Sequence, residues 1–183
     1  MPLNYWNERI FLDINHWAGK NKIFDALFLL LTQLGSSYVL VPLVGGIIWF
    51  KKRKQFLIYF GIFALILFSS GTLVHILKIT IHTLRPPLYF EGSGIVNTVG
   101  TAAQGASFPS GHAQTVFSGV LFLDWVFPKR RYWYWIIGVA VGLSRCYIGA
   151  HFPLDILGGF LVAWICFFAV KFIFNKEISD IRV

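Results

Sequence analysis

Histidine, aspartate, arginine and lysine gather in this chain at places where an apolar sequence ordinarily carries none of them. The stretch GLSRCYIGAHFPLDILGG, residues 142–159, holds Ser144, Arg145, His151 and Asp155 between two hydrophobic runs. KITIHTLRP, 78–86, brings Lys78 and Arg85, and FPSGH, 108–112, brings Ser110, Gly111 and His112. His151 and Asp155 are four residues apart, a spacing that on a helix sets a carboxylate one turn from an imidazole, fixing its tautomer and supporting positive charge on the ring. An imidazole held in this way can act as a nucleophile. His112, arriving from another segment, can protonate a leaving alkoxide and then activate water.

Lys78, Arg85 and Arg145 are permanent cations with a single carboxylate, Asp155, to answer them, and near a bilayer such an excess calls for an anion. Arginine forks match phosphate oxygens two at a time, while lysine adds a compact point charge. In PSGH, Pro109 suits the first position of a helix, and the Ser110 and Gly111 backbone N–H groups would then be unsatisfied donors at its positive end, a seat for an anion. Cations around the equatorial oxygens would stabilise a phosphoryl transition state without a metal. With eight acidic residues and no cluster of them suited to magnesium, neither metal nor cofactor is expected. Ser144 is balanced between a ligand and a helix-packing hydroxyl.

The elements that must position these groups are membrane helices. Of the 183 residues 56% are apolar and 18% aromatic, only 13% are charged, and the mean hydropathy is +0.66, values far from those of a soluble domain. Apolar segments at 24–50, 55–77, 110–127, 132–149 and 154–174 each approach or exceed the ~20 residues that span ~30 Å of hydrocarbon. The first holds Gln33, Gly35, Ser36, Ser37 and Pro42 and is expected to be one bent span or two short helices. Residues 3–18 place Trp6, Ile10, Phe11, Ile14 and Trp17 against Asn4, Glu8, Arg9 and Asp13, which predicts an amphipathic helix lying in the interface. The fold class expected is all-α: a polytopic bundle of five to six transmembrane helices, one domain over 1–183, with an interfacial N-terminal helix within 1–22 and a core over 24–174.

KKRK at 51–54, PKRR at 128–131 and the tail residues Lys171, Lys176 and Arg182 fall on one side of a five-span arrangement, which the positive-inside rule makes cytoplasmic. The net charge of +8 is thereby a topology signal and not evidence for nucleic-acid binding. Every polar block lies at the opposite, outer end. Trp6, Trp17, Trp125, Trp133 and Trp135 fit an aromatic belt. Cys146 and Cys166 are too far apart in depth for a disulfide and have no zinc-like spacing. The first 20 residues lack the pattern of a cleaved leader, so the chain is expected to begin near Met1.

Lys78 with RP after six intervening residues, PSGH at 109–112, and SR at 144–145 followed by His151 and Asp155 together resemble the signature of the type 2 phosphatidic acid phosphatase superfamily. The resemblance covers roughly 70–175. It implies a six-helix core and metal-independent dephosphorylation of lipid phosphates or pyrophosphates through a phosphohistidine, while the topology above sets the site on the periplasmic or extracellular side of the inner membrane. On this resemblance His151 is the nucleophile, Asp155 its orienter and His112 the general acid; Lys78, Arg85, Ser110, Gly111 and Arg145 hold the phosphate. Lipid A 1-phosphate, undecaprenyl pyrophosphate and phosphatidylglycerol phosphate are the expected substrates, and no obligate protein partner is expected. Two other readings compete. An intramembrane serine protease using Ser110 or Ser144 leaves the three cations without a task, and no GxSxG elbow is present. A transporter of phosphate lipids leaves the His151–Asp155 pair unused.

Overall fold

Within the first apolar run the chain turns, and the turn sits against the polar end of the molecule. A computed structural model describes residues 2–101 and 104–182, with side chains for 5–101 and 104–175. Among the described residues every regular element is helical: α1 (Pro2–Asn15), α2 (Lys22–Gln33), α3 (Ser37–Lys52), α4 (Phe56–Ile81), the single-turn α5 (Pro86–Tyr89), α6 (Gly111–Val126), α7 (Arg131–Tyr147) and α8 (Pro153–Arg182). The run at 24–50 is thus two helices. Asn21 caps α2, its Oδ1 accepting from the Ile23 and Phe24 N–H groups, and the 12 residues of α2 rise about 18 Å, too little to cross ~30 Å of hydrocarbon. At Gly35 a Cβ would lie 2.9 Å from His112 Cβ and 3.0 Å from Val141 Cγ1. The chain therefore turns where only glycine fits. Pro42, by contrast, sits inside α3 without ending it.

α6 is the axis of the bundle. Apart from Gly111, His112, Thr115 and Asp124 its residues are buried, enclosed by α3, α4, α7 and α8. Leu40, Val44, Phe63, Val120, Phe122 and Phe167 belong to the core around it. A polar cluster lies at mid-depth, where Gln114 Nε2 donates to Ser70 Oγ at 2.6 Å and to Ser118 Oγ at 3.3 Å; such groups are tolerated in an apolar interior because they satisfy one another. Where α6 meets α8 the approach is close enough that a Cβ on Gly159 would run into Ser110 O. The outer surface is apolar instead of charged, with Leu57, Phe68 and Ile76 on α4 and Leu161, Ile165 and Phe172 on α8 all exposed. Ser37–Tyr89 and Pro153–Asn175 are long and apolar enough to cross a membrane.

Trp125 corrects the expected aromatic belt. It is buried at the end of α6, edge-on to Phe167, with the Lys171 ammonium 5.9 Å from its ring centroid. Trp6, Trp17 and Trp133 are exposed. The side chains of Lys176 and Arg182 lie outside the described residues. The predicted helix over 3–18 ends at Asn15. It docks on α7 and α8, with Phe11 and Asn15 fully buried. The Asn15 amide donates to Tyr147 O at 2.8 Å and Asn97 O at 2.7 Å, and its Oδ1 accepts from Asn97 N–H at 2.8 Å. α1 is thereby stitched to the end of α7 and to the long loop before α6.

Candidate active site

α7 ends at Tyr147, and the chain then folds back over its own last turn, the Ala150 and His151 N–H groups both donating to Arg145 O, at 2.9 and 3.2 Å. This return places His151, 2% exposed, in a short connection ahead of α8, which begins at Pro153. The His151–Asp155 pair is therefore not made by helical spacing, as the sequence implied. Asp155 is the third residue of α8 and reaches back, its Oδ2 accepting from the Phe152 N–H at 2.9 Å. That is half of a capping box, with the carboxylate also facing the positive end of the helix. The same oxygen lies 3.4 Å from His151 Nδ1 and accepts from the Ser107 hydroxyl at 2.6 Å.

With a carboxylate on its Nδ1 side, the ring carries its proton there and its lone pair on Nε2. Arg85 Nη1 donates to that Nε2 at 3.2 Å. Burial first, with Arg85 and Arg145 adding to it and the Asp155 hydrogen bond opposing, pushes the imidazole down to about 3. His151 is accordingly neutral at physiological pH, with a buried lone pair turned toward a guanidinium.

Two of the three cations rest on main-chain oxygens. Arg85, 7% exposed, donates from Nε to Gln104 O and Gly105 O at 3.1 and 3.0 Å, from Nη1 to Ala150 O at 3.0 Å and from Nη2 to Ala106 O at 3.3 Å. Lys78, in the last turn of α4, donates to Ala106 O at 2.6 Å and Ser107 O at 3.3 Å. Arg145 closes the other side: its Nη1 donates to Thr32 Oγ1 at 2.6 Å, while its buried Nε has no hydrogen-bond partner among the described residues.

The PSGH block differs from expectation in detail. Pro109 does not open the helix; α6 starts at Gly111 with Ser110 as N-cap, its Oγ accepting from Ala113 N–H. Ser110 N–H is not a free donor either, since it bonds Asp155 O at 2.9 Å, which ties the start of α6 to the start of α8. The Gly111 and His112 N–H groups have no hydrogen-bond partner among the described residues. His112 sits in the first turn of α6 against Gly35. Ser144 is a helix hydroxyl: fully buried, it donates back to Val141 O at 2.6 Å. Neither Ser110 nor Ser144 bonds a histidine. Ser107 does approach one, at 3.3 Å from His151 Nδ1, but its proton goes to Asp155 and it is fully buried, the wrong arrangement for a serine nucleophile.

Ser107 and Thr32 are the residues that sequence reasoning missed. Ser107 lies just ahead of FPSGH and was within reach of that block; Thr32 is a lone hydroxyl in an apolar helix and carries no signal of its own.

Residues 59–179, which include both histidines, the three cations and Asp155, match the family model of the PAP2 superfamily. The chain belongs to the PAP2 superfamily. Its enzyme class is that of the lipid-phosphate phosphatases. This PAP2 chain is 31% identical over 174 residues to an undecaprenyl-diphosphatase of Sulfolobus acidocaldarius, covering 91% of this chain and 78% of that protein. Its fold is similar to that of Aquifex aeolicus LpxE, with a TM-score of 0.76 and 29% identity over 90% of this chain and 94% of the other. It is similar also to a transmembrane PAP2-type phosphatidylglycerolphosphate phosphatase from Bacillus subtilis, with a TM-score of 0.71 and 25% identity over 96% of this chain and 87% of that one.

Proposed function

We propose that the chain hydrolyses the phosphomonoester or pyrophosphate of a membrane lipid at the outer face of the inner membrane, through a phosphohistidine and without a metal. The observation that carries this reading is the placement of the buried His151 ring, with Nδ1 3.4 Å from Asp155 Oδ2 and Nε2 3.2 Å from Arg85 Nη1, an arrangement that favours a neutral ring protonated toward Asp155 with its lone pair on Nε2. In the first step Nε2 attacks phosphorus, the P–O bond to the lipid breaks, and His112, which enters as the imidazolium after taking up a proton beside the phosphate's negative charge, gives that proton to the leaving oxygen. In the second, His112 takes a proton from water, the water oxygen bonds phosphorus, and the P–N bond breaks to release phosphate. Lys78, Arg85 and Arg145 meet the charge on the equatorial oxygens. The free Gly111 and His112 N–H groups at the positive end of α6 add two more donors. Arg85 leaves its carbonyl partners for phosphate as the lipid enters.

The lipid chain has a place beside this site. A crevice of about 510 Å³ between the ends of α4 and α8 is lined by Ile81, Leu84, Phe108, Leu154 and Asp155. Over it, Tyr89 of α5 donates to Glu8 of α1 at 2.6 Å, so α1 and the loop after α4 form its outer wall. In this reading α1 lies in the interface and α3, α4, α6, α7 and α8 cross the bilayer, with their basic ends in the cytoplasm. Undecaprenyl pyrophosphate, lipid A 1-phosphate and phosphatidylglycerol phosphate are the candidate substrates, each the substrate named for a relative of this chain.

The test is phosphate release from these lipids by purified protein in excess chelator, alongside His151→Ala. Release that survives the chelator and vanishes in the variant is expected. Release that persists in His151→Ala, or none from any lipid, overturns the proposal.

A further inference from the structure

The family match begins at residue 59, yet one wall of the phosphate site comes from α2. Asp25, Phe28 and Thr32 are spaced to share one face of that helix, and all three meet the last turn of α7. Asp25 Oδ1 accepts from the Tyr147 hydroxyl at 2.8 Å, the Phe28 ring stacks on Tyr147 with centroids 3.9 Å apart, and Thr32 Oγ1 accepts from Arg145 Nη1 at 2.6 Å. Three residues further on, Gly35 brings the α2–α3 turn against His112. One short segment thus touches the third cation and the second histidine.

Arg145 shows what this contact does. It is 6% exposed and Thr32 is 4% exposed, so water does not readily replace the hydroxyl as acceptor. With Nη1 engaged, the guanidinium plane is set, and the buried Nε is left without a partner among the described residues. A buried, unpaired guanidinium donor is costly unless a ligand answers it. We infer that Thr32 is a positioning residue for the phosphate site: it holds Arg145 by one nitrogen so that the remaining donors stay presented to the phosphoryl oxygens as a preorganised fork. This rests on the phosphatase reading above and on the place of Arg145 within it.

The test separates a positioning role from a scaffolding one. Thr32→Val keeps the shape and removes the acceptor; Thr32→Ser keeps the acceptor. A hydrogen bond to a charged group is worth enough that its loss lowers kcat/KM for phosphate release by about ten- to a hundredfold, with orthovanadate inhibition weakened by a similar factor. Thr32→Ser is expected to stay within about threefold of wild type by the same reasoning. In an Arg145→Lys background, where the fork is gone, Thr32→Val is expected to cost less than about twofold. Should Thr32→Val not survive purification, Thr32→Ala carries the same comparison. An equal loss in both backgrounds, a Thr32→Ser variant as impaired as Thr32→Val, or an unimpaired Thr32→Val overturns the inference. Failure of the phosphatase reading itself shows earlier, as a wild-type protein that releases no phosphate.

Discussion

Replacing Asp155 with asparagine removes a charge while leaving the local hydrogen-bond pattern in place. The Phe152 N–H at 2.9 Å, the Ser107 hydroxyl at 2.6 Å and His151 Nδ1 at 3.4 Å all converge on one carboxylate oxygen, Oδ2. An amide oxygen in that position accepts all three, so the ring keeps its tautomer and α8 keeps its cap. What disappears is the negative charge that, in the proposed reaction, stands opposite the ring when Nε2 bonds phosphorus and the imidazole turns cationic. At 3.4 Å and an effective dielectric of about 20, that attraction is about 5 kcal/mol. The amide dipole retains part of it, leaving a loss of roughly 3–4 kcal/mol, or between about two and three orders of magnitude in rate. The assay is rapid-quench measurement of phosphoenzyme formation from a lipid labelled in the phosphate, with the melting temperature recorded alongside. The expected result is a phosphorylation rate down by about two to three orders of magnitude with little change in melting temperature. A drop of less than about tenfold, with the protein folded, would refute the electrostatic role given to Asp155.

Two further outcomes follow from the same geometry. In histidine-labelled protein, the ¹⁵N signals lost in His151→Ala should stay those of a neutral, Nδ1-protonated ring from pH 8 to pH 5, because burial holds this group down to about 3; a midpoint near the ordinary 6.5 would contradict it. The sign carries over to stability: the unfolded ring takes up a proton below about pH 6.5 and the folded one does not, so this contribution is present above that pH and falls by about 1.4 kcal/mol per unit as pH drops toward 3. Asn15→Ala orphans the Asn97 N–H, Asn97 O and Tyr147 O. At ~1–3 kcal/mol for each buried group, less what water restores, about 3 kcal/mol is lost, and the melting temperature should fall by roughly 6–12 °C. A shift within about 2 °C would mean that α1 is not held by these bonds.

How much of this was legible beforehand depended on whether a contact is local or long-range. His112, Asp155 and the three cations declared themselves by charge, since an ionisable group in an apolar chain is conspicuous. The helices containing Lys78, His112 and Arg145 could be drawn from hydropathy alone, within a few residues at each end. The manner in which His151 meets Asp155 was not legible: the number four suggested a helix, whereas the pairing arises from a helix cap just past a reversal of the chain. Ser110 looked like an anion donor because its nearest possible partner, Asp155 O, is 45 residues away in sequence and close only after folding. Thr32 and Ser107 are small and uncharged, and hydroxyls of that kind acquire meaning only from what lies within 3 Å of them. A bend near Gly35 was legible as a possibility, but the need for glycine there, set by the side chains of His112 and Val141 on other helices, belongs to tertiary packing.

Lys78 and Arg85 are held by the carbonyls of residues 104–107 and of Ala150, atoms that every amino acid possesses. Apart from Ser107, whose hydroxyl serves Asp155, and Gly105, whose φ of +74° favours glycine, the identities of the residues supplying this cradle matter little to its grip; only the path of the chain matters. The loop over the site can therefore exchange side chains over evolutionary time without loosening the cations beneath it. A protein built this way can change which lipid it admits while the chemistry below stays fixed, and directed evolution aimed at Gln104 and Ala106 is the place to exploit that freedom.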